Sequence, residues 1–291
     1  MTPEIHVQQI TDYVATLPDR IDLGSPLFRT EGGHVAGRFL NARVASVFQP
    51  VMDLHRQRVV GHQGLLRVEA PGDSPLAPWS LFALTAGDAM LRHLDRLCRT
   101  LHTLNYFAHV DASQSLFLNV EERLLASVPD EHGRVFEGVL GKFGLSPQRV
   151  VIVFPRSVIA VPDVLARGAR NYRARGYRVM VPISRCDERV LGMFNDAPVD
   201  LVKVDVSASL SAERLAAVAM ALGENGVALL AGRVESADLL KKVIDAGVEF
   251  AQGFVLGAPA ALARRPLSQA DFGSARALSH PDAENIGRGS Q

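Results

Sequence analysis

Apolar residues recur along the central part of the chain with two different periods, which predicts strands alternating with helices. Two long β-branched runs come first, "VASVFQPVMD" (44–53) and "RVVGHQGLLR" (58–67), separated only by "LHRQ". This spacing predicts an antiparallel hairpin. Six shorter apolar runs follow, and with the hairpin they make eight predicted strands. The six runs lie at 116–120, 150–154, 178–182, 201–205, 227–231 and 250–254.

The segments between these strands carry apolar residues at helical spacing. Ser236 suits the N-cap of one helix, and Gly247 suits its C-terminal stop. Eight strands alternating with helices fit a (β/α)8 TIM-like barrel better than an open doubly wound sheet, and functional groups lie at the carboxyl ends of the strands in both folds. The clearest helical stripes are Leu91, Leu94, Leu97, Cys98 and Leu101, and then Leu215, Val218 and Leu222.

The two ends of the chain differ in character from this central region. Residues 1–40 contain one amphipathic segment, "EIHVQQITDYVATL", and then the Gly-rich "RTEGGHVAG", which predict a helical extension and a linker. The barrel domain is expected over 41–268. The polar, aperiodic residues 269–291 predict a disordered tail.

The composition of the chain indicates which kinds of binding partner and which cellular compartment to expect. Thirty-one basic residues balance thirty-one acidic ones, so no global field attracts nucleic acid or an anionic membrane, and we expect no nucleic-acid partner. No run approaches the roughly 20 apolar residues that span a bilayer, so no membrane insertion is expected. The two cysteines, Cys98 and Cys186, indicate a reducing compartment, and we predict a cytoplasmic protein.

The spacing of histidine and cysteine residues gives little support for a metal site or a catalytic nucleophile. His93, Cys98 and His102 do not fall on one helical face, so scattered helix residues explain them better than a zinc site. His55 and His62 lie near the hairpin, but no nucleophile, base and orienting acid assemble with recognisable spacing.

Six short segments occur in an order typical of one family: "FQPVMDL", "GLLR", "FLNV", "PVDLVKVD", "AGRVESADLL" and "AQGFVLGAP". Over residues 45–260 the chain therefore resembles the EAL family of bacterial cyclic-di-GMP phosphodiesterases. The resemblance implies a barrel whose first strand is antiparallel. It also implies that, in active members, two divalent cations held by carboxylates activate a water molecule.

The resemblance also assigns roles to individual positions of this chain. Gln63 stands where the family has its metal-binding glutamate, followed by Gly64 where the family has alanine. Of the six acidic positions expected around the metals, only Glu235 is acidic here. The other five are Gln63, Val153, Pro182, Ile183 and Gly232, whereas Asn119, Lys203 and Gln252 match the family.

One carboxylate and two amides neutralise a pair of dications poorly, so we expect no metal, no cofactor and no phosphodiesterase activity. Lys203, which corresponds to the lysine that orients the attacking water, is then expected to pair with Asp205 or Glu235.

Two functions remain open for a domain without catalysis. The preferred prediction is a regulatory protein-interaction module in motility, adhesion or biofilm control, with a partner that the sequence does not identify. The alternative is a metal-free cyclic-di-GMP receptor, because arginine can hold phosphate bidentately without a metal. Its candidate ligand contacts are Arg67, which matches a phosphate-binding arginine of the family, and Arg156, Arg185 and Arg233.

Overall fold

The computed structural model describes residues 27–262, except 73, 86, 111–112, 128–131, 185 and 208–209. The amphipathic segment near the N-terminus, the predicted tail and Arg185 therefore lie outside the described residues. The strands are β1 (Leu27–Arg29), β2 (Val35–Phe39), β3 (Ala42–Asp53), β4 (Arg58–Glu69), β5 (Pro75–Leu76), β6 (Ser115–Asn119), β7 (Val150–Val153), β8 (Arg178–Ile183), β9 (Leu201–Asp205), β10 (Ala228–Gly232) and β11 (Phe250–Ala251).

The helices surround the strands in the same chain order. They are α1 (Pro78–Ala83), α2 (Asp88–Phe107), α3 (Glu122–Ser127), α4 (His132–Lys142), α5 (Pro162–Ala174), α6 (Glu188–Gly192), α7 (Ala212–Gly223) and α8 (Ala237–Asp245). The predicted cap of α8 is confirmed, since the Ser236 hydroxyl accepts from the Leu239 N–H at 3.2 Å and Gly247 has the positive φ of a C-terminal stop. None of the helices in the described residues is long and apolar enough to cross a bilayer.

Eight of the strands close into a barrel, which confirms the predicted fold class. The order around it is β3, β11, β10, β9, β8, β7, β6 and β4, and pairing between β3 and β4 closes the ring. β3 runs antiparallel to both of its barrel neighbours, and the remaining neighbours are parallel. The first barrel strand is thus the antiparallel one, as predicted. Each of the eight predicted runs overlaps one of these eight strands, the last of them only at Phe250 and Ala251.

The barrel interior is filled by apolar side chains. Strands covered by helices on one face and by the interior on the other are apolar throughout, and all four residues of β7 are buried. The interior cluster contains Val51, Phe117, Val151, Val153, Met180, Leu201 and Leu230. Val153, one of the expected acid positions, therefore belongs to the packed core.

The segment predicted as a Gly-rich linker is instead a hairpin that extends the sheet. β1 pairs with β2 and β2 pairs with β3, both antiparallel. The glycines form the turn between β1 and β2, where Gly33 has φ 80° and its N–H donates to the Thr30 carbonyl at 2.9 Å. Glycine at a positive φ is typical of tight turns. The glycines that suggested a linker are therefore the turn residues of a hairpin.

Helix α2 is buried on almost every side, although its sequence predicts a single apolar stripe. The barrel covers one face, and the β1–β2 hairpin together with α4 packs on others. Polar residues consequently lie in the interior. Arg99 pairs with Asp95 at 2.7 Å, and Asn105 exchanges two 2.8 Å hydrogen bonds with the backbone of Val35.

Candidate functional site

Four polar side chains meet at the carboxyl ends of the barrel strands and form one hydrogen-bonded chain. The Lys203 Nζ donates to Oε1 of Gln252 at 2.7 Å and lies 3.5 Å from Oε1 of Gln63. Gln63 in turn donates through Nε2 to Oδ1 of Asn119 at 2.9 Å. The structure therefore brings together four of the residues that the sequence singled out, here called the amide–lysine chain.

Register places these side chains at one mouth of the barrel. Gln63 lies in β4 opposite Phe117 of β6, and Asn119 ends β6. Lys203 lies in β9, two residues before the end of that strand, and Gln252 directly follows β11. The carboxyl ends of parallel strands lie at the same mouth of a barrel, so the topology explains why these four side chains are close together.

The centre of this chain is withdrawn from solvent. Gln252 is 1% exposed, and its Nε2 has no hydrogen-bond partner among the described residues. Burial lowers the pKa of Lys203, with the nearby Arg156 acting in the same direction and Asp205 opposing both. The lysine is therefore held chiefly by amide oxygens.

A second set of interactions lies beside the amide–lysine chain. Arg156, just after β7, contacts the Asp205 carboxylate at 2.6 Å through Nη2, and its Nη1 donates to the Ser184 hydroxyl at 2.8 Å. The expectation that Lys203 pairs with Asp205 or Glu235 is therefore wrong. The carboxylate of Asp205 is instead engaged by an arginine from another strand end, and sequence spacing gives no sign of that partner.

The one retained acid is also engaged, in an exposed pair. Arg233 Nε lies 3.4 Å from Oε1 of Glu235, and the two side chains are 67% and 45% exposed. Arg233 adopts φ 56°, a left-handed conformation that costs a residue with a Cβ roughly 1 kcal/mol. Arg233 therefore faces solvent beside Glu235.

At the positions where the resemblance leads us to expect acids, the side chains are packed into the barrel or the adjacent space is already occupied. Ile183 is 1% exposed, as part of the core, and Pro182 lies in β8 opposite Lys203. A Cβ added to Gly232 would lie 2.5 Å from Cε of Lys203 and 2.9 Å from Oδ1 of Asp205. The space beside Gly232 is thus occupied by the lysine stem.

These donors do not fit a pair of divalent cations. Mg²⁺ and Ca²⁺ require several oxygen ligands, preferably carboxylates, whereas both glutamine oxygens here face an amine donor. The carboxylate of Asp205, at the end of β9, is bound by Arg156. Within the described residues no group of three or more histidine, cysteine, aspartate or glutamate side chains could hold a metal ion.

The candidate ligand-binding arginines have different surroundings. Arg156 borders a cleft of about 400 Å³ that Arg189 also lines. Arg67 lies four residues beyond Gln63 in β4, opposite Ala45, with an exposed side chain. Asp187 caps α6 by accepting from the Val190 N–H at 3.0 Å.

Comparisons with solved structures find the same fold in several proteins. The chain superposes on a Bd1971 EAL enzyme described with cAMP and cyclic-di-GMP bound, with TM-score 0.62 and 14% identity, covering 75% of this chain and 62% of that one. It superposes on Bacillus subtilis YkuI, described in complex with cyclic-di-GMP and calcium, with TM-score 0.64, 21% identity and coverages of 80% and 59%.

A third structure, the FimX EAL domain from Pseudomonas aeruginosa bound to cyclic-di-GMP, gives TM-score 0.64, 17% identity and coverages of 77% and 93%. The chain thus spans about three fifths of the Bd1971 and YkuI chains and nearly all of the FimX domain. At these identities the superpositions establish the fold. No curated protein sequence matches the chain.

Family comparison matches residues 35–259 to the EAL domain. This range contains the complete barrel and the amide–lysine chain. The chain belongs to the EAL domain family, the domain of cyclic-di-GMP signalling proteins.

Proposed function

We propose that this EAL domain does not hydrolyse cyclic-di-GMP and acts in signalling by binding a protein partner. One observation carries the first half of the proposal. Lys203 donates to the side-chain oxygen of Gln252 at 2.7 Å and approaches that of Gln63, so a lysine engages the oxygens that a metal would need.

The chemistry of hydrolysis explains why this arrangement matters. A two-metal site makes a nucleophile at neutral pH by lowering the pKa of bound water from about 15.7 towards 7. Lys203 donates to amide oxygens at this mouth and supplies no base. The reaction therefore lacks its activated nucleophile.

The test is a hydrolysis assay of the full chain with cyclic-di-GMP and Mg²⁺ or Mn²⁺. We expect no linear product from the wild type or from Lys203→Ala, while an active EAL phosphodiesterase assayed in parallel converts the substrate. Metal-dependent product from the wild type that disappears in Lys203→Ala would refute the proposal.

A second candidate function is a metal-free receptor for cyclic-di-GMP. Arg156 and Lys203 place two cationic side chains at the mouth of the barrel, and the related structures of FimX and YkuI hold cyclic-di-GMP. Calorimetric titration with cyclic-di-GMP, in EDTA and in Mg²⁺, tests this function.

Receptor function predicts equal affinity in both buffers and at least a tenfold loss in Arg67→Ala and in Arg156→Gln, since truncating a charge-assisted phosphate contact costs about 1.4 kcal/mol or more. Arg167→Gln, on the exposed face of α5, is the matched control for charge. If cyclic-di-GMP produces no heat of binding in either buffer, the receptor function is ruled out and the protein-interaction function remains.

Exposed apolar side chains near β5 and α1 support the binding of a protein. Trp79 is 73% exposed, Leu84 is 63% exposed and Leu76 is 39% exposed. Tryptophan is enriched among the residues that dominate interface energies. We expect Trp79→Ala to lose a partner that the wild type retains from an extract of the source cells, with Met220→Ala, a 71% exposed residue of α7, as the control.

The partner experiment needs a second step to be decisive. The captured protein, once purified, has to bind the wild type and bind Trp79→Ala at least tenfold more weakly. Truncation of the N-terminus should remove residues 1–26 and retain β1 and β2, because these strands belong to the sheet. A cytoplasmic location is part of the proposal, and the free thiols of Cys98 and Cys186 support it.

A further inference from the structure

The opposite mouth of the barrel contains a second cavity, of about 460 Å³. It opens at the amino ends of the parallel strands, next to Ser115 of β6, Arg178 of β8 and Ala228 of β10. The amide–lysine chain lies at the other end of the same strands. The cavity is therefore separate from the site described above, and its size is that of typical small-molecule sites.

Arginines dominate the charge around this cavity. Arg56, Arg58, Arg149 and Arg178 line it, against two acids, Asp53 and Asp200. Asp53 is fully buried and already accepts from the Arg56 guanidinium at 2.7 Å and from the Arg56 N–H at 2.8 Å. The lining thus has two more arginines than acids, and Arg56 also lies 3.3 Å from Glu249, which is outside the cavity.

The second acid is also engaged from outside the cavity. Asp200 accepts from the Val179 N–H at 2.8 Å and lies 3.5 Å from the Arg173 guanidinium. Arg173 does not line the cavity. Asp200 therefore has partners outside the cavity, and it also interacts electrostatically with Arg178 inside it.

Arg178 is the arginine drawn furthest into the structure. Its Nη2 donates to the Ser115 hydroxyl, while its buried Nε has no hydrogen-bond partner in the part of the chain that the structure describes. Burial lowers the pKa of Arg178, and Asp200 opposes that effect. An unsatisfied buried donor on a charged group is unfavourable, and an anion in the cavity would supply an acceptor for it.

Arg149 is held in a fixed position beside it. Its guanidinium lies 4.4 Å from the centre of the Phe107 ring, and its Nη2 donates to the Gln114 carbonyl at 3.2 Å. Burial lowers the pKa of this arginine also, with Tyr106 opposing. Stacked guanidinium groups are ordered before a ligand arrives, which favours recognition of planar oxyanions.

The floor of the cavity is apolar. It consists of side chains that close the barrel interior from below, so a ligand would contact hydrocarbon on one side and guanidinium groups on the other. Sites with an apolar lining and a few placed polar groups are typical for small organic ligands. The floor residues are Val51, Val60, Phe117, Leu201, Ala228 and Phe250.

We propose that this cavity is a binding site for a small organic anion, with its phosphate or carboxylate group on Arg178 and Arg149 and its apolar body on Phe117 and Phe250. The proposal is independent of the proposed function, since none of these residues belongs to the other mouth. Phosphate and carboxylate share the same recognition chemistry, and the experiment separates them.

The test is calorimetric titration of the full chain at low ionic strength with three probes: inorganic phosphate, phenyl phosphate and benzoate, the last two sharing the same phenyl ring. We expect one of the two organic probes to bind at least tenfold more tightly than inorganic phosphate, because only the organic probes contact the floor. Whichever organic probe binds more tightly identifies the phosphate or the carboxylate form.

Three variants locate the binding. Ala228→Leu fills the floor without changing charge and is expected to abolish binding, and Arg178→Gln is expected to weaken it at least tenfold. Arg167→Gln, which removes one exposed arginine of α5, should leave the affinity within about twofold, since exposed charges are screened. Circular dichroism and the unfolding midpoint of each variant verify that the barrel is retained.

Two results would overturn the proposal. One is the absence of binding by all three probes up to about 1 mM, a free energy of only about 4 kcal/mol. The other is binding that persists unchanged in a folded Ala228→Leu protein. Cyclic-di-GMP titration of the same variants distinguishes the two ends of the barrel, because a ligand at the other mouth is unaffected by Ala228→Leu.

Discussion

Gly64 and His102 show how closely single residues are fitted around the barrel. A Cβ at position 64 would lie 3.0 Å from Cγ of His102 and 3.3 Å from two further ring atoms. The ring is held from behind, because its Nδ1 is 2.8 Å from the Ser46 hydroxyl and it lies edge-on to Phe48. The imidazole thus occupies the space that an alanine at position 64 would need.

We expect Gly64→Ala to lower the free energy of unfolding by about 1–2 kcal/mol, since overpacking a fixed core group forces small displacements. In a His102→Ala background the same change should cost less than half as much, because the ring is absent. Urea unfolding of the four proteins measures the coupling. Equal costs in both backgrounds would show that the ring and position 64 do not interact.

Residue identities at the site could be predicted from the sequence, but their partners could not. The resemblance to the EAL family identifies Gln63, Asn119, Lys203 and Gln252, and the structure joins them. The partner of Lys203 was predicted wrongly, because charge alone favours Asp205 or Glu235. Arg156 takes Asp205 instead, and only the three-dimensional arrangement of two strand ends reveals that choice.

At the scale of elements, the β1–β2 hairpin and α2 depend on each other. Asn105 accepts from the N–H of Val35 and donates to its carbonyl, both at 2.8 Å, and all of these atoms are buried. One side chain therefore satisfies the backbone of a strand that composition alone assigns to a linker. Glycine content predicts a turn, but it does not reveal whether the flanking residues pair.

Asn105→Ala should lower the free energy of unfolding by about 2–4 kcal/mol, because it leaves a buried N–H and a buried carbonyl without partners. Asn225→Ala is the control, since its 3.4 Å bond to the Ala221 carbonyl is exposed, and it should change stability by less than about 0.5 kcal/mol. Amide hydrogen exchange in β2 should accelerate in Asn105→Ala alone. Unchanged protection of Val35 would contradict the assigned role.

At the scale of the whole molecule, burial of titratable side chains makes stability depend on pH. Burial lowers the pKa of His62 and of His102 to about 4 each. Both are therefore neutral in the folded protein between about pH 4 and 6.5, where the unfolded chain takes up protons. Their contribution is fully present above about pH 6.5 and is lost as the pH falls towards 4.

We expect the free energy of unfolding to fall between about pH 7 and pH 4.5, with each histidine contributing on the order of 3 kcal/mol over the full window. His62→Asn, which retains a donor towards the Tyr106 hydroxyl, should reduce the slope by about one proton. His55→Asn, at an exposed position, is the control. Urea titrations at several pH values provide the slope, and identical slopes in all three proteins would contradict the prediction.

The overall architecture was accessible from the sequence because barrel strands buried on both faces leave long apolar runs. The second cavity was not, because its arginines are scattered from position 56 to position 178 and no motif connects them. Closure of the sheet brings them to one mouth. Properties that depend on closure, such as the excess of arginines over acids at that mouth, require the folded chain.

The contact between Lys203 and Gly232 has a consequence for attempts to redesign this mouth of the barrel. A Cβ at position 232 would lie 2.5 Å from Cε of Lys203, so a glutamate introduced there has to displace the end of the lysine side chain, which donates to Gln252. The change adds a single carboxylate and disturbs this hydrogen bond at the same time. A redesign of this mouth therefore has to change position 232 and the hydrogen-bond partners of Lys203 together.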